Sequence, residues 1–200
     1  MLNKICSGIS AGIMVSIGGC AFLACENKIA GAVLFSVALL VICYKGYSLF
    51  TGKVGYIPEN HRKEDISALL LGLFGNLAGT VLCGLLIRTA LPAFGNTACT
   101  VCEAKLAQGA CSAFVRGIFC GVLMYSAVSI FRSKGSIAGI VFCIPVFILS
   151  GFEHSIADMF YFALSRTVSI KAFGYIWLVI LGNTAGGMIL PALSMVGREE

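Results

Sequence analysis

Charged positions divide this chain into long apolar runs. Stretches free of Asp, Glu, Lys and Arg cover residues 5–25, 29–44, 66–87, 117–131, 135–152 and 172–197, most of them near the roughly 20 residues that a helix needs to cross a hydrocarbon core. Six spans with short connectors use up nearly the whole chain. The pattern therefore predicts a single transmembrane domain over residues 1–200, with no room for a soluble catalytic domain. The first run is longer than the roughly 7 to 15 residues of a removable signal core, and Gly8, Gly12, Gly18 and Gly19 in it suit close helix packing, so it reads as the first span.

Two of the runs are interrupted. The second, over residues 29–50, is broken by Lys45 and Gly46 and leaves helical pattern at Leu49-Phe50-Thr51-Gly52. Its counterpart over residues 135–163 is too long for one simple crossing and contains Pro145, then Ser150-Gly151-Phe152-Glu153-His154-Ser155. Both read as half-helices around a loop. Irregular backbone at membrane depth is tolerated only where protein or a water-lined cavity satisfies its polar groups, so paired interruptions point to a substrate path. Residues 52–65 read as a solvated connector with His61 at the surface, and the stretch holding Cys99, Cys102, Lys105 and Cys111 reads as a loop before the fourth span.

A five-residue pattern occurs twice inside the apolar runs, as Gly75-Asn76-Leu77-Ala78-Gly79 and as Gly182-Asn183-Thr184-Ala185-Gly186, about half the chain apart. Like halves of this kind, taken here as about 1–98 and 99–200, are the mark of a transporter built from an internal repeat. The glycines leave one helix face without bulk, for packing or for a pore. Asn76 and Asn183 differ from them, because an amide in hydrocarbon needs partners, and the loops at Thr51 and Ser155 are candidates to supply them.

Composition strengthens the membrane reading. Hydrophobic residues make up 58% of the chain and charged ones 12%, with a mean hydropathy of +0.96, which leaves too little polar surface to cover a soluble globule. The net charge of +5 suits anionic lipid, and no basic, aromatic-interleaved groove for nucleic acid is visible. With six spans, Lys4, Lys53, Arg62, Lys63, Arg132, Lys134 and Arg198 fall on the side of both termini. Lys28, Arg88, Lys105, Arg166 and Lys171 fall opposite, an imbalance that favours cytoplasmic termini in a multi-pass cell-membrane protein. Of ten cysteines, seven sit in apolar runs, where Cys acts as a small hydrophobe. The lone Cys99-x-x-Cys102 lacks the second pair that a metal or redox site needs, so no cofactor or metal is expected, and the stretch reads as free thiols.

Glu153-His154 is the sharpest chemical signal, since ionisable groups within a span are costly and mark a substrate or proton path. An imidazole titrates near pH 6.5 when unperturbed, so it can share a proton or a hydrogen bond with an anion. A bare anion in low dielectric costs tens of kcal/mol by Born estimates, whereas a small neutral acid avoids most of that penalty. Phe35, Leu39, Leu49 and Phe50 in the first half, with Phe147 and Phe152 in the second, are candidates for apolar constrictions or for plain packing. Lys105 is a candidate to attract anions at the mouth, or a surface amine.

Residues 45–52 (Lys-Gly-Tyr-Ser-Leu-Phe-Thr-Gly), the Gly151-Phe152-Glu153-His154 loop and the two Gly-Asn-x-Ala-Gly motifs together resemble the formate/nitrite transporter family, in order along nearly the whole chain. The resemblance implies an all-α membrane protein whose six transmembrane helices form an aquaporin-like inverted 3+3 repeat with broken second and fifth helices. It also implies a homopentamer with one pore per protomer, passing formate, nitrite, hydrosulfide or similar monovalent anions. For matched positions it implies His154 as the central pore residue, Lys105 as the vestibule lysine, and Leu39, Leu49, Phe50 and Phe147 as constriction residues with Thr51 beside them.

The departures are Tyr47 where the family signature usually has a small residue, and Gly121-Val122-Leu123-Met124-Tyr125 in place of an Asn-containing stretch. Little chain precedes the first span to form the amphipathic gating helix of relatives. The function expected is a non-enzymatic channel or channel-like transporter for a small weak-acid anion, formate or nitrite, with protons shared at His154. Hydrosulfide passage is the alternative in the same class. An aquaporin-type neutral-solute pore would lack a protonation step, and no Asn-Pro-Ala pair is present; an intramembrane thiol enzyme would need Cys99 and Cys102.

Overall fold

The computed structural model describes residues 1–196, so Gly197 and Arg198, counted above in the last apolar run and among the cations, lie outside the described residues. Those residues form helices and no strand, as an apolar chain whose backbone must satisfy its own hydrogen bonds in lipid requires. The α-helices are α1 (Leu2–Ala24), α2 (Lys28–Lys45), α3 (Phe50–Lys53), α4 (Lys63–Ala90), α5 (Pro92–Leu106), α6 (Ala110–Lys134), α7 (Ala138–Leu149), α8 (Ser155–Ser165) and α9 (Ile170–Val196). A 3-10 turn, Val54–Tyr56, follows α3.

Five of them, α1, α2, α4, α6 and α9, are long and apolar enough to cross a membrane, while α7 and α8 divide the remaining apolar run between them. Large apolar side chains such as Phe74 and Phe142 stand 64% and 70% exposed on the outer faces. In a water-soluble fold such a surface would drive association, and here it is what lipid or a neighbouring protomer covers.

Close helix pairs hold the two parts of the chain. α1 lies against α4, and α6 against α9. A Cβ on Gly12 would come within 2.5 Å of the Asn76 carbonyl oxygen, and one on Gly182 within 2.5 Å of that of Phe114. Backbones this close exclude any side chain at those positions, which is what small residues in helix pairs provide.

Helix ends explain the breaks. α2 starts on an Asn27 cap, whose side chain accepts from the Ile29 and Ala30 amides at 2.9 and 3.1 Å. It stops at Gly46, whose φ of 68° puts it in the left-handed region, and Gly151 after α7 does the same at 70°.

Two connectors differ from their sequence reading. The stretch of Cys99, Cys102 and Lys105 is helical, because Pro92 sits at the first turn of α5 and a run of small and apolar residues carries the helix to Leu106; Cys111 lies in α6. The connector read over 52–65 is solvated only in its later part: Gly52 in α3 and Val54 and Gly55 in the 3-10 turn are buried, whereas His61 is exposed.

Candidate functional site

Each break is pinned by one asparagine through the same set of bonds. Asn76 of α4 donates from Nδ2 to the carbonyls of Gly8 (2.9 Å) and Ser48 (2.8 Å), and its Oδ1 accepts from the Phe50 amide at 2.9 Å. Asn183 of α9 donates from Nδ2 to Gly117 (2.9 Å) and Glu153 (2.8 Å), and its Oδ1 accepts from the Ser155 amide at 2.9 Å. Both side chains are fully buried. An amide is suited to this task because it carries two donors and an acceptor: one donor and the acceptor match the carbonyl and the N–H that the break leaves unpaired, and the second donor anchors them to a carbonyl of the helix behind, α1 or α6. The first partner is thus the amide of Phe50 rather than Thr51, and the second is Ser155.

His154 follows the second break and caps α8. Its Nδ1 accepts from the Ala157 amide at 3.1 Å, and its Nε2 lies 2.8 Å from Thr51 Oγ1 of the first break. A backbone N–H only donates, so Nδ1 is the bare nitrogen and the proton of the neutral ring is assigned to Nε2, aimed at Thr51. Phe147 stacks on the imidazole, with centroids 5.7 Å apart, and Phe35 meets Phe147 edge-on at 6.3 Å.

Two cavities meet at this ring, and a third lies beside the first break. A small one of about 10 Å³ is lined by Leu39, Leu49, Phe35, Phe147 and His154. One of about 160 Å³ shares Phe35, Phe147 and His154 with it and adds Lys105, Arg116, Glu153 and Asp158. A third, of about 490 Å³, is bounded by Gly46, Ser48 and Lys53 of the first break, together with Lys4, Arg132 and Asp65. Phe50, read as a constriction residue, does not line the small cavity; it is buried, and its backbone amide serves Asn76.

Glu153 does not hold His154. It binds Lys105 Nζ and accepts from Gln108 Nε2 at 2.9 Å, while Lys105 Nζ also lies 2.9 Å from Asp158 Oδ1. Lys105, at the end of α5, therefore ties that helix to both sides of the second break. Asp158, Gln108 and Arg116 were not singled out from sequence. Asp158 was open to discovery by the rule that exposed Glu153, an acid inside an apolar run, whereas Gln108 and Arg116 become notable only through what they touch. Cys102 is buried and contacts the Ser165 hydroxyl at 3.3 Å, and all ten cysteines are free thiols.

The formate/nitrite transporter family profile matches residues 1–197. The chain is 35% identical over 185 residues to the uncharacterized transporter YwcJ of Bacillus subtilis (strain 168), covering 80% of this chain and 71% of that one. It is 31% identical over 180 residues to the nitrite transporter NirC of Escherichia coli (strain K12), covering 80% and 67%. Among solved structures, a pentameric formate channel with formate bound superposes with a TM-score of 0.81 at 22% identity, over 99% of this chain and 97% of that chain. An FNT family ion channel superposes with a TM-score of 0.79 at 23% identity, over 98% and 88%. At these identities the structural likeness is one of fold. Profile and relatives together make this chain a member of the formate/nitrite transporter family, a multi-pass membrane protein of a family of transporters and channels rather than enzymes.

Proposed function

We propose that the chain is a channel or channel-like transporter for a small monovalent anion of a weak acid, formate or nitrite, with His154 as its central pore residue. The observation that carries this reading is that His154, the one polar residue in the lining of a tight apolar cavity, also lines the adjoining larger cavity that bears Lys105 and Arg116. Leu39, Leu49, Phe35 and Phe147 repel a bare ion, because such walls return none of its hydration energy. An anion that accepts the Nε2 hydrogen, in place of Thr51 Oγ1, recovers part of that loss at the narrowest point. Proton sharing takes the form of this hydrogen bond: a second proton on Nδ1 would have to break the cap on Ala157, so the acid's own proton comes from solution. Relatives named as a nitrite transporter and a probable formate transporter, the latter of Methanothermobacter thermautotrophicus at 29% identity, support the substrate class.

The same reading takes the chain as six spans in two inverted halves, 1–98 and 99–200, assembled as a homopentamer in the cell membrane with cytoplasmic termini. The matched hydrogen bonds of Asn76 and Asn183 support the repeat, and the neighbour described as a pentameric formate channel supports the assembly. Competition uptake in proteoliposomes tests the function with formate, nitrite, hydrosulfide, acetate and lactate. Formate and nitrite are expected to enter and to compete, faster as external pH falls and more of each acid is neutral, with acetate and lactate slower. Water or glycerol flux without anion uptake would defeat the proposal.

A further inference from the structure

The cavity beside His154 contains two cations, and they are not equivalent. Lys105 Nζ is shared between Glu153 and Asp158, with side-chain exposures of 15%, 4% and 1% for the three residues. Two carboxylates around one ammonium leave that cluster one negative charge in excess when all are ionised. An approaching anion meets repulsion there. Arg116, on α6, lines the same cavity, and among the described residues no carboxylate lies within ion-pair distance of it. Its Nε donates to Ser112 Oγ at 3.2 Å and its Nη1 to the Gly151 carbonyl at 3.1 Å. Nη2 has no protein partner among the described residues. The guanidinium is thus held by two neutral acceptors beside the second break, with no carboxylate paired directly to it and three of its five N–H donors spare, the arrangement that suits a planar, small oxyanion.

We propose that Arg116, not Lys105, draws the anion into this mouth and gives it its first hydrogen bonds, and that Lys105 is a positioning residue for the break. The inference rests on the anion-channel reading and assigns the recruiting charge of that same site. One unit charge at roughly 8 Å, in a medium between protein surface and water, changes local anion concentration about fivefold. R116Q is therefore expected to raise the half-saturating formate concentration about fivefold, to lower the rate at saturation by less, and to flatten the dependence on ionic strength. R116K keeps the charge but not the fork, and should restore most of the salt-dependent uptake. A half-saturation unchanged in R116Q, or R116K as impaired as R116Q, would overturn the proposal, the second by showing that the bond to Gly151 is what matters.

Cys111 gives a measurement independent of transport. It is exposed one turn and a half before Arg116 on α6. The ratio of its labelling rates by anionic and cationic thiosulfonates, located by peptide mass, is expected to fall about fivefold in R116Q in the whole protein in liposomes. An unchanged ratio refutes the field of Arg116 even if formate uptake is normal. A fallen ratio in a protein that takes up no anion keeps Arg116 as the source of the field and defeats the channel reading instead.

Discussion

The two broken helices share a scaffold and differ in chemistry. In each, a left-handed glycine ends the first half-helix, an asparagine from a distant helix joins two carbonyls and an amide, and a carbonyl of the helix behind accepts from the residue before Leu49 or His154. Ser48 N donates to Ser7 O, and Glu153 N donates to Arg116 O, both at 3.3 Å. Where the first break presents Ser48 and Leu49, however, the second presents Glu153 and His154, and where α1 offers Ser7, α6 offers Arg116. Backbone geometry has been kept twice, whereas the histidine and the acids paired to a lysine occupy one copy; at the first break Lys53 Nζ donates to the Ser48 hydroxyl at 3.1 Å. Breaking a helix in a membrane therefore needs only polar satisfaction, and the titratable cluster at the second break is not required for it.

The strongest challenge to that comparison is the asparagines. N76A and N183A each orphan two buried backbone groups of a break, Ser48 O and Phe50 N or Glu153 O and Ser155 N, at about 1–3 kcal/mol apiece, so each is expected to lower stability by roughly 2–4 kcal/mol after partial relaxation. Thermal unfolding in detergent should show losses of similar size; a first break that tolerates alanine would end the equivalence. K105M comes next. It strips the counter-charge from Glu153 and Asp158, at about 3–5 kcal/mol if both stay buried, whereas the lysine at the first break, Lys53, meets the neutral Ser48 hydroxyl.

H154N separates scaffold from chemistry at one residue. Asparagine is a good helix cap, so the Ala157 amide stays satisfied and folding should change little. The Nε2 donor is lost, and formate flux in proteoliposomes should drop about ten- to hundredfold, the worth of one hydrogen bond to a charged group. Flux at the wild-type rate and pH profile would remove His154 from the mechanism. Smallest are G46A and G151A. Each places a Cβ in the left-handed region at about 1–2 kcal/mol, but the one at Gly46 enters open space, while that at Gly151 comes 3.3 Å from Arg116 Nη1. Unfolding should register both; anion half-saturation should respond only to G151A.

Much of this was legible in the residues. Charge-free runs marked the spans, and an acid and a histidine at the end of one of them marked the second break, where the candidate site lies. Lys45-Gly46 and Ser150-Gly151 marked the breaks, because a lone glycine after an apolar run is a helix stop whatever surrounds it. The environments of Lys105 and Arg116 were not legible. Both are cations near helix ends, and pattern alone ranks them alike. Contacts separate them: α5 carries Lys105 onto two acids of the α7–α8 region, and α6 carries Arg116 onto a carbonyl and a hydroxyl.

Family membership, the apolar spans, both interruptions and the paired asparagines are properties of the sequence by itself, because each depends on local hydropathy or on a motif of a few residues. Tertiary structure alone decided which amide each asparagine serves, that Thr51 meets His154 from 103 positions away, and which cation is left with free charge. Those depend on distances between segments remote in the chain, and electrostatics in a low-dielectric interior is set by separations of a few ångströms that no local pattern encodes.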